Sequence, residues 1–223
     1  MCAIAEGANM KTDGISLIHS TEESLRAIYE SSPGYRFDLA LEGTGFCSPA
    51  SGDYWCIHSR DTFFGYFVLD RVRLAPLTQE DSVLHTRHLR CISTTQDLRG
   101  VGLWSTVLAK MIELANRHGV FLHAISYPFQ MHMPLIANSA EFLAFIQDEH
   151  NYFIPFMSWK KQKKASKDLL KKYLEVGFCR FRYPSGNGFH RRWTRDNLGF
   201  AYLPQSLNPT IHAKLRPSVR CAQ

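Results

Sequence analysis

The segment 87–119 joins a short extended stretch to a long amphipathic helix through a glycine-rich turn. The turn reads Gln96-Asp97-Leu98-Arg99-Gly100-Val101-Gly102-Leu103. Glycines let a backbone come close to a ligand, and the first amide N–H groups of a helix, at its positive end, favour an anion. This strand, turn and helix therefore predict that an anion-bearing ligand binds at the turn.

Two motifs, far apart in the chain, resemble those of the GNAT superfamily of N-acetyltransferases. The first is Arg99-Gly100-Val101-Gly102-Leu103-Trp104, which fits five of the six positions of that family's coenzyme A loop. The loop commonly reads Arg or Gln, two residues, Gly, one residue, then Gly or Ala, and Trp104 departs from it. The second is Tyr173-Leu174-Glu175-Val176-Gly177-Phe178, similar to the family pattern in which a Tyr four residues before Gly-Phe ends the last helix.

The resemblance implies an α+β (mixed α/β) fold of the GNAT-like kind. A central, mostly antiparallel twisted sheet of six to seven strands would be flanked by helices, with two neighbouring strands splayed apart to admit the acyl-pantetheine arm. We expect a single acyltransferase domain over residues 1–196, with an insertion at about 128–164 before the last helix. Residues 197–223 hold three prolines and are expected to form an extended or partly disordered extension.

Residue patterns predict individual elements independently of the resemblance. Alternating or continuous apolar runs favour strands, and these are expected at 15–19, 54–59, 62–73, 85–93, 120–127, 178–183 and 189–194. Periods of three to four residues with capping signals favour helices, and these are expected at 21–31, 103–118, 138–147 and 166–176. Residues 41–53 and 74–81 are expected to be a loop and a turn.

The resemblance also implies which residues hold acetyl-coenzyme A. The backbone amides of the loop and of the preceding strand would bind the donor, and a lysine stands where many family members carry Asn before the Tyr. The predicted cofactor-binding residues are Ile92, Leu98, Arg99, Gly100, Val101, Gly102, Leu103, Trp104 and Lys167. Because Trp104 is bulky, its indole has to turn into the core if the loop is to hold a pyrophosphate.

Catalysis would be a direct attack of an amine on the thioester. In the family, the Tyr donates a proton to the departing thiolate, and Tyr173 is predicted to be this general acid. Many members use a Glu on the loop-bearing strand as the base, but this chain has no Glu between Asp81 and Asp97. His88 is therefore the predicted base, with His85 as the alternative, since histidine titrates in a suitable range.

The net charge of +6 is concentrated in one segment. Residues 160–195 hold 12 Lys and Arg but only Asp168 and Glu175, a local charge of +10, while the rest of the chain has a charge of −4. Such a segment either forms a solvated helix face or contacts a polyanion. Two alternatives to the acetyltransferase thus stay open: a GNAT-fold enzyme that modifies nucleic acid, and a catalytically degenerate binding module. The acceptor remains open among small amines, protein amines and nucleic acid.

The remaining composition indicates a cytoplasmic location. No apolar run of about 18 residues predicts a membrane span, and the N-terminus lacks the features of a secretion signal. The six cysteines have no paired spacing typical of zinc sites, and most of them are expected to be buried or idle thiols. No metal site is predicted, and the sequence does not indicate an oligomeric state.

Overall fold

A computed structural model describes residues 14–21, 23–25, 27, 52–59, 62–94, 103–126, 159–184 and 198–221. Its strands are β1 Ile15–Ser20, β2 Gly52–Ser59, β3 Thr62–Asp70, β4 Thr86–Thr94, β5 Phe121–Ile125, β6 Cys179–Phe181, β7 Gly199–Tyr202 and β8 Val219–Arg220. Its helices are α1 Gln79–His85, α2 Leu103–His118, α3 Trp159–Glu175 and α4 Pro209–Leu215, followed by a 3₁₀ turn at Arg216–Ser218.

The strands form one sheet in the order β1-β2-β3-β4-β5-β7-β6-β8. β4 and β5 are parallel and are joined by α2, whereas the other neighbouring strands are antiparallel. A parallel pair needs such a crossover, and a helix is the usual one. The predicted mixed, mostly antiparallel sheet with flanking helices is confirmed, with eight strands in the described residues where six to seven were expected.

Apolar side chains cover both faces of the sheet. The face that packs against α2 and α3, called the α2/α3 face, includes Phe67, Leu89, Leu122, Ala124 and Phe200. The opposite face carries two further clusters, which include Tyr66, Val68, Phe121, Phe181 and Val219. β3 is buried on both faces from Phe64 to Asp70, as its continuous apolar run predicts.

β4 and β5 pair over only part of their length. Their register begins at Thr86↔Phe121 and ends at His88↔His123, although β4 continues to Thr94 and β5 to Ile125. Gly119 ends α2 with φ +60°, a conformation that glycine adopts readily, and returns the chain to the start of β5. The sheet therefore opens between β4 and β5 toward the N-terminal end of α2, which agrees with the predicted splay.

Three helix starts differ from the sequence prediction. α3 begins at Trp159, seven residues before the predicted start at 166, so the end of the insertion expected at 128–164 belongs to this helix. Residues 74–81 were expected to form a turn, but Thr78 caps α1, its side chain accepting from the Asp81 amide at 3.0 Å. His85 is consequently the last residue of a helix and not part of β4. Near the N-terminus, where a helix is expected from residue 21, Thr21 is the capping residue, since its Oγ1 accepts from the Ser24 amide at 3.1 Å.

The segment after residue 197 belongs to the sheet, which corrects the expectation of an extended or partly disordered extension. β7 lies between β5 and β6, α4 covers the opposite face, and β8 pairs with β6. A disulfide joins Cys179 to Cys221 with a Cα–Cα distance of 4.4 Å, so the prediction of idle thiols is wrong for these two residues. The prolines mislead because they lie beside the short elements or at a helix start, where proline is tolerated.

Several predicted elements lie outside the described residues. They are most of the helix expected at 21–31, the loop at 41–53 apart from its last two residues, the helix at 138–147 and the strand at 189–194. The glycine-rich turn from 95 to 102 and the insertion up to residue 158 also lie outside. Within the described residues, no helix combines the length and apolar character that crossing a membrane requires.

Candidate functional site

Helix α2 begins at Leu103, directly after the glycine-rich turn, and Trp104 lies in its first turn. Leu103 is buried, and the Trp104 ring packs against the core of the α2/α3 face. Its centroid lies 5.7 Å from that of Tyr173 in an edge contact. The indole therefore points into the core, which is the orientation that the predicted loop requires. The Trp104 Nε1 atom is buried and has no hydrogen-bond partner among the described residues.

Tyr173 lies on the buried side of α3 and is 4% exposed. Its ring stacks on Phe200 of β7 at 3.8 Å and contacts Phe178 edge-on at 5.7 Å. Gly177 has φ +113°, which lets the chain reverse after α3, and the Phe178 amide donates to the Tyr173 carbonyl at 3.2 Å. The spacing of Tyr, Gly and Phe thus has a structural cause, since the turn fixes the Tyr173 ring next to the first turn of α2.

A second α3 residue shares the buried side with Tyr173 and was missed by sequence reasoning. Ser166 is fully buried, and its Oγ atom has no hydrogen-bond partner among the described residues. Its carbonyl accepts from Ser126 Oγ at 2.7 Å, which ties the end of β5 to α3. A spacing of seven residues places Ser166 and Tyr173 about 20° apart around a helix, and this spacing is the signal that could have identified it.

Lys167, the predicted cofactor contact, is exposed. It is six residues from Tyr173 and so lies about 120° around the helix from that ring. The inward position of this turn is occupied by Ser166. A contact of Lys167 with a phosphate stays a prediction, and it would have to be made from the exposed side of α3.

A bulge in β4 decides which side Ile92 faces. Leu69 pairs with Leu89 but Val68 pairs with Cys91, so Arg90 is an extra residue in β4. Strict alternation along a strand would put Leu89 and Ile92 on opposite faces. Because the extra residue shifts the alternation by one, both lie on the α2/α3 face, where Ile92 packs against the core.

The bulged residue Arg90 forms a buried ion pair with Asp70. Asp70 is fully buried and the Arg90 side chain is 8% exposed. Arg90 Nε donates to Asp70 Oδ2 at 2.8 Å, and Arg90 Nη2 donates to Oδ1, so the contact is bidentate. A buried carboxylate requires such a partner, since an unpaired charge in the core is strongly unfavourable. The sequence did not indicate this pair because its residues are 20 positions apart.

His88 lies at the last paired position before the sheet opens. It is the register partner of both Asp70 and His123, and its ring centroid is 5.1 Å from that of His123. His123 is fully buried, and its Nδ1 lies 2.9 Å from the Tyr183 hydroxyl in a hydrogen bond. His123 and Tyr183 extend this polar row across the opposite face, and sequence reasoning identified neither.

Burial controls the protonation of this row. It lowers the pKa of His88 to about 4, although the Asp70 carboxylate acts in the opposite direction. Burial also lowers the pKa of His123 well below its usual value, with the neighbouring His88 adding to the effect. The pKa of the Tyr183 hydroxyl is raised well above 10 by burial. At neutral pH, all three side chains are therefore uncharged.

We expect the protein to lose stability as the pH falls from about 6.5 to about 4. The unfolded chain takes up protons on His88 below its usual pKa, whereas the folded chain does so only near pH 4. For this residue alone, the free energy of unfolding should be about 2 kcal/mol lower at pH 5 than at pH 7. Urea denaturation of the native protein and of the His88→Gln variant at pH 5 and pH 7 measures this difference in the free energy of unfolding. The His88→Gln variant should lose less stability between them than a His212→Gln control, and equal losses would contradict the prediction.

The predicted acid and base lie on opposite faces of the sheet. Tyr173 packs on the α2/α3 face, whereas His88 shares the opposite face with Asp70 and His123. The opening where β4 and β5 separate connects the two faces. The other predicted cofactor-binding residues, Leu98, Arg99, Gly100, Val101 and Gly102, lie outside the described residues.

No protein-family model and no curated protein matches the chain. Solved structures do match it. A GNAT family acetyltransferase from Elizabethkingia anophelis with acetyl-CoA bound is 14% identical over 53% of this chain and 69% of that chain, with a TM-score of 0.34. The ribosomal-protein-S18-alanine N-acetyltransferase from Escherichia coli is 13% identical over 84% of this chain and 89% of that chain, with a TM-score of 0.38. A spermidine N-acetyltransferase SpeG chimera from Vibrio cholerae and hSSAT is 8% identical over 84% of this chain and 92% of that chain, with a TM-score of 0.42.

At these identities and TM-scores, the assignment of the fold rests on the chain's own topology. The parallel β4–α2–β5 unit, the partial pairing of β4 with β5, and the turn that joins α3 to β6 are each present. Leu103 and Trp104 of the first motif begin α2, and the second motif spans the end of α3 and the turn after it. The chain therefore has a GNAT-like fold, as the resemblance of its sequence to the GNAT superfamily predicted.

Proposed function

We propose that the protein is an acyl-coenzyme A-dependent N-acyltransferase that transfers acetyl from acetyl-CoA to an amine. The observation that carries the proposal is the position of Tyr173, buried on α3 and in ring contact with Trp104 in the first turn of α2. A general acid has to lie within hydrogen-bond reach of the leaving group. A thioester held between β4 and β5, with its phosphates at the start of α2, would bring its sulfur toward this ring.

The reaction would be a direct displacement. The amine nitrogen attacks the thioester carbonyl carbon, the C–S bond breaks, and Tyr173 gives its proton to the departing thiolate. The proton lost by the amine passes to a base on the opposite side of the sheet. Holding amine and thioester in the opening would supply much of the rate enhancement through proximity and orientation.

His88 is the described residue best placed to receive that proton. It borders the opening on the face away from Tyr173. The amine would therefore reach the carbonyl from the His88 side, and the thiolate would leave toward Tyr173. Its lowered pKa keeps it neutral, as a base must be, but also makes it a weak base. We therefore propose that His88 accepts the proton after the carbon–nitrogen bond has begun to form, when the amine nitrogen has become acidic.

The donor would be held by the predicted residues together with Ser166, which the structure adds. The segment 98–104 and Ile92 supply backbone groups, and Lys167 supplies a cation for a phosphate. Ser166 Oγ and Trp104 Nε1 are buried and have no partner among the described residues. Leaving such groups unsatisfied is costly, so a ligand that hydrogen-bonds to them would gain affinity.

Binding of acetyl-CoA is the first test. Calorimetry should show that the native protein binds it in the micromolar range typical of enzyme substrates. Lys167→Gln should weaken binding by about threefold to tenfold at low salt, and less at high salt, because a phosphate contact at an exposed lysine is screened. The matched control is Lys172→Gln, which changes another exposed lysine of α3 and should leave the affinity unchanged. No binding to the native protein would favour a degenerate scaffold over an enzyme.

The acceptor is sought separately. The solved structures similar to this chain include acetyltransferases named for spermidine and for a protein alanine. Spermidine, a peptide with N-terminal alanine, a lysine-containing peptide and tRNA therefore form the panel, each incubated with acetyl-CoA and analysed by mass spectrometry. An added acetyl group on one of them identifies the acceptor class. Acetylation of the tRNA would select the alternative in which the enzyme modifies nucleic acid.

A further inference from the structure

The edge of the sheet beside α3 carries two arginines directly opposite each other. Arg180 of β6 is the register partner of Arg220 of β8, and both are exposed. Like charges at facing positions of antiparallel strands repel and destabilise the pair. Within the residues that the structure covers, neither arginine has a carboxylate within ion-pair distance. The two cations are thus held together without a counter-charge from the part of the chain that the structure describes.

The disulfide keeps this arrangement in place. Cys179 precedes Arg180 and Cys221 follows Arg220, so the bond closes the strand pair at the adjacent position. β8 has only two residues, and so short a strand contributes few hydrogen bonds of its own. The covalent link therefore offsets the repulsion between the two guanidinium groups.

The arginines lie on the α2/α3 face. Arg180 is also the register partner of Phe200, whose ring stacks on Tyr173 of α3. Partners in neighbouring strands point to the same face, so Arg180 and Arg220 flank α3. Arg182, two residues after Arg180 and exposed, follows the same alternation.

Helix α3 continues the positive charge. Its exposed residues include Lys164, Lys167, Lys171 and Lys172, against the carboxylates of Asp168 and Glu175. Glu175 Oε1 lies 3.8 Å from Lys171 Nζ. We call the basic face the set Lys164, Lys167, Lys171, Lys172, Arg180, Arg182 and Arg220. With the two carboxylates included, this surface has a net charge of +5.

We propose that the basic face binds the phosphodiester backbone of a nucleic acid. Nucleic acid has a dense line of negative charge, and arginine pairs with phosphate in bidentate geometry. A protein partner fits less well, since protein interfaces have apolar, lysine-poor centres. The exposed large apolar residues of the described chain are Ile18 on β1 and Leu84 on α1, away from this face. An anionic membrane also attracts basic residues, but binding there is strengthened by inserted apolar side chains, which this face lacks among the described residues.

The test is fluorescence anisotropy with the disulfide-intact protein. The probes are a labelled single-stranded RNA of about 20 nucleotides and a DNA duplex of similar length, titrated between about 50 and 200 mM salt. We expect binding that weakens as salt rises. Changing Arg180→Gln and Arg220→Gln together should lower the affinity about tenfold at low salt and reduce the slope of log affinity against log salt by about 1.4, the value for two lost phosphate contacts on a single strand.

A charge-matched control separates a defined surface from general attraction. Arg73→Gln with Arg117→Gln removes two exposed arginines elsewhere in the chain and should change the affinity little. Circular dichroism confirms that both double variants fold. Acetyl-CoA affinity should be the same in all three proteins, so the outcome is independent of the proposed enzyme activity. The proposal is overturned by no binding at low salt, by equal losses in the two variants, or by equally tight binding to poly-glutamate or phosphatidylserine vesicles.

Discussion

Replacing Tyr173 by phenylalanine is expected to lower kcat about 100-fold while leaving the affinity for acetyl-CoA unchanged. The substitution removes the hydroxyl that we assign to protonation of the thiolate, and general-acid groups contribute at least this much. The aromatic contacts to Phe200, Trp104 and Phe178 are made by the ring and remain possible in the variant. The measurement is release of coenzyme A thiol and mass gain of the acceptor that the panel identifies, under single-turnover conditions.

Tyr202→Phe is the matched control for this prediction. The Tyr202 hydroxyl is exposed and hydrogen-bonds with Asn116, so its loss should leave kcat unchanged. The pH dependence of kcat shows whether the chemical step is the one affected, because loss of the acid should remove the alkaline limb of the rate profile. Equal turnover by the Tyr173→Phe and native proteins would exclude Tyr173 as the acid, while acetyl-CoA binding by both would preserve the assignment of the donor.

Breaking the buried ion pair between β3 and β4 should have the largest effect on stability. Asp70→Asn removes the charge that pairs with the buried Arg90 guanidinium, and breaking a buried ion pair in this way typically costs about 3–5 kcal/mol. Asp70 is fully buried and its partner nearly so, so solvent cannot replace the lost charge. The free energy of unfolding from urea denaturation measures the effect, with circular dichroism as the probe.

A double-mutant cycle shows whether the loss comes from the pair. Arg90→Met added to Asp70→Asn removes the isolated cation and should recover part of the lost stability. Lys214→Gln serves as the surface control, since Lys214 Nζ and Asp81 Oδ2 are 3.5 Å apart in an exposed pair that is worth at most about 1 kcal/mol. If Asp70→Asn destabilises no more than Lys214→Gln, the pair does not hold the bulge in place.

Local patterns predicted the elements whose signal lies within a few neighbouring residues. The long apolar stripe of α2, its glycine stop and the buried run of β3 are examples, and each is present. The Tyr173 to Phe178 motif likewise predicted a helix end and a turn. Patterns of this kind succeed because helix and strand periods depend on contacts made along the chain itself.

Local patterns failed to predict side-chain positions where a shift of one residue changed the direction in which a side chain points. Arg90 lies in the predicted strand 85–93, but it is the extra residue of a bulge, so Ile92 lies on the same face as Leu89 where strict alternation would separate them. Ser166 was missed beside the predicted donor contact Lys167, because a step of one residue along α3 turns a side chain from the exposed to the buried side. A shift of one residue moves a side chain to the other face of a strand or by about 100° around a helix. An error of one residue in a predicted position therefore changes which side chain faces the site.

The sequence by itself predicted the strand before the glycine-rich segment, the helix that begins at Leu103, and the tyrosine near the end of a later helix, and the described residues confirm all three. The tertiary structure alone decided that β7 lies between β5 and β6, that Cys179 meets Cys221, and that His88 faces His123 while Tyr173 lies across the sheet. These pairings join residues dozens of positions apart. Their geometry depends on how the whole sheet closes around its core, and no local period encodes that.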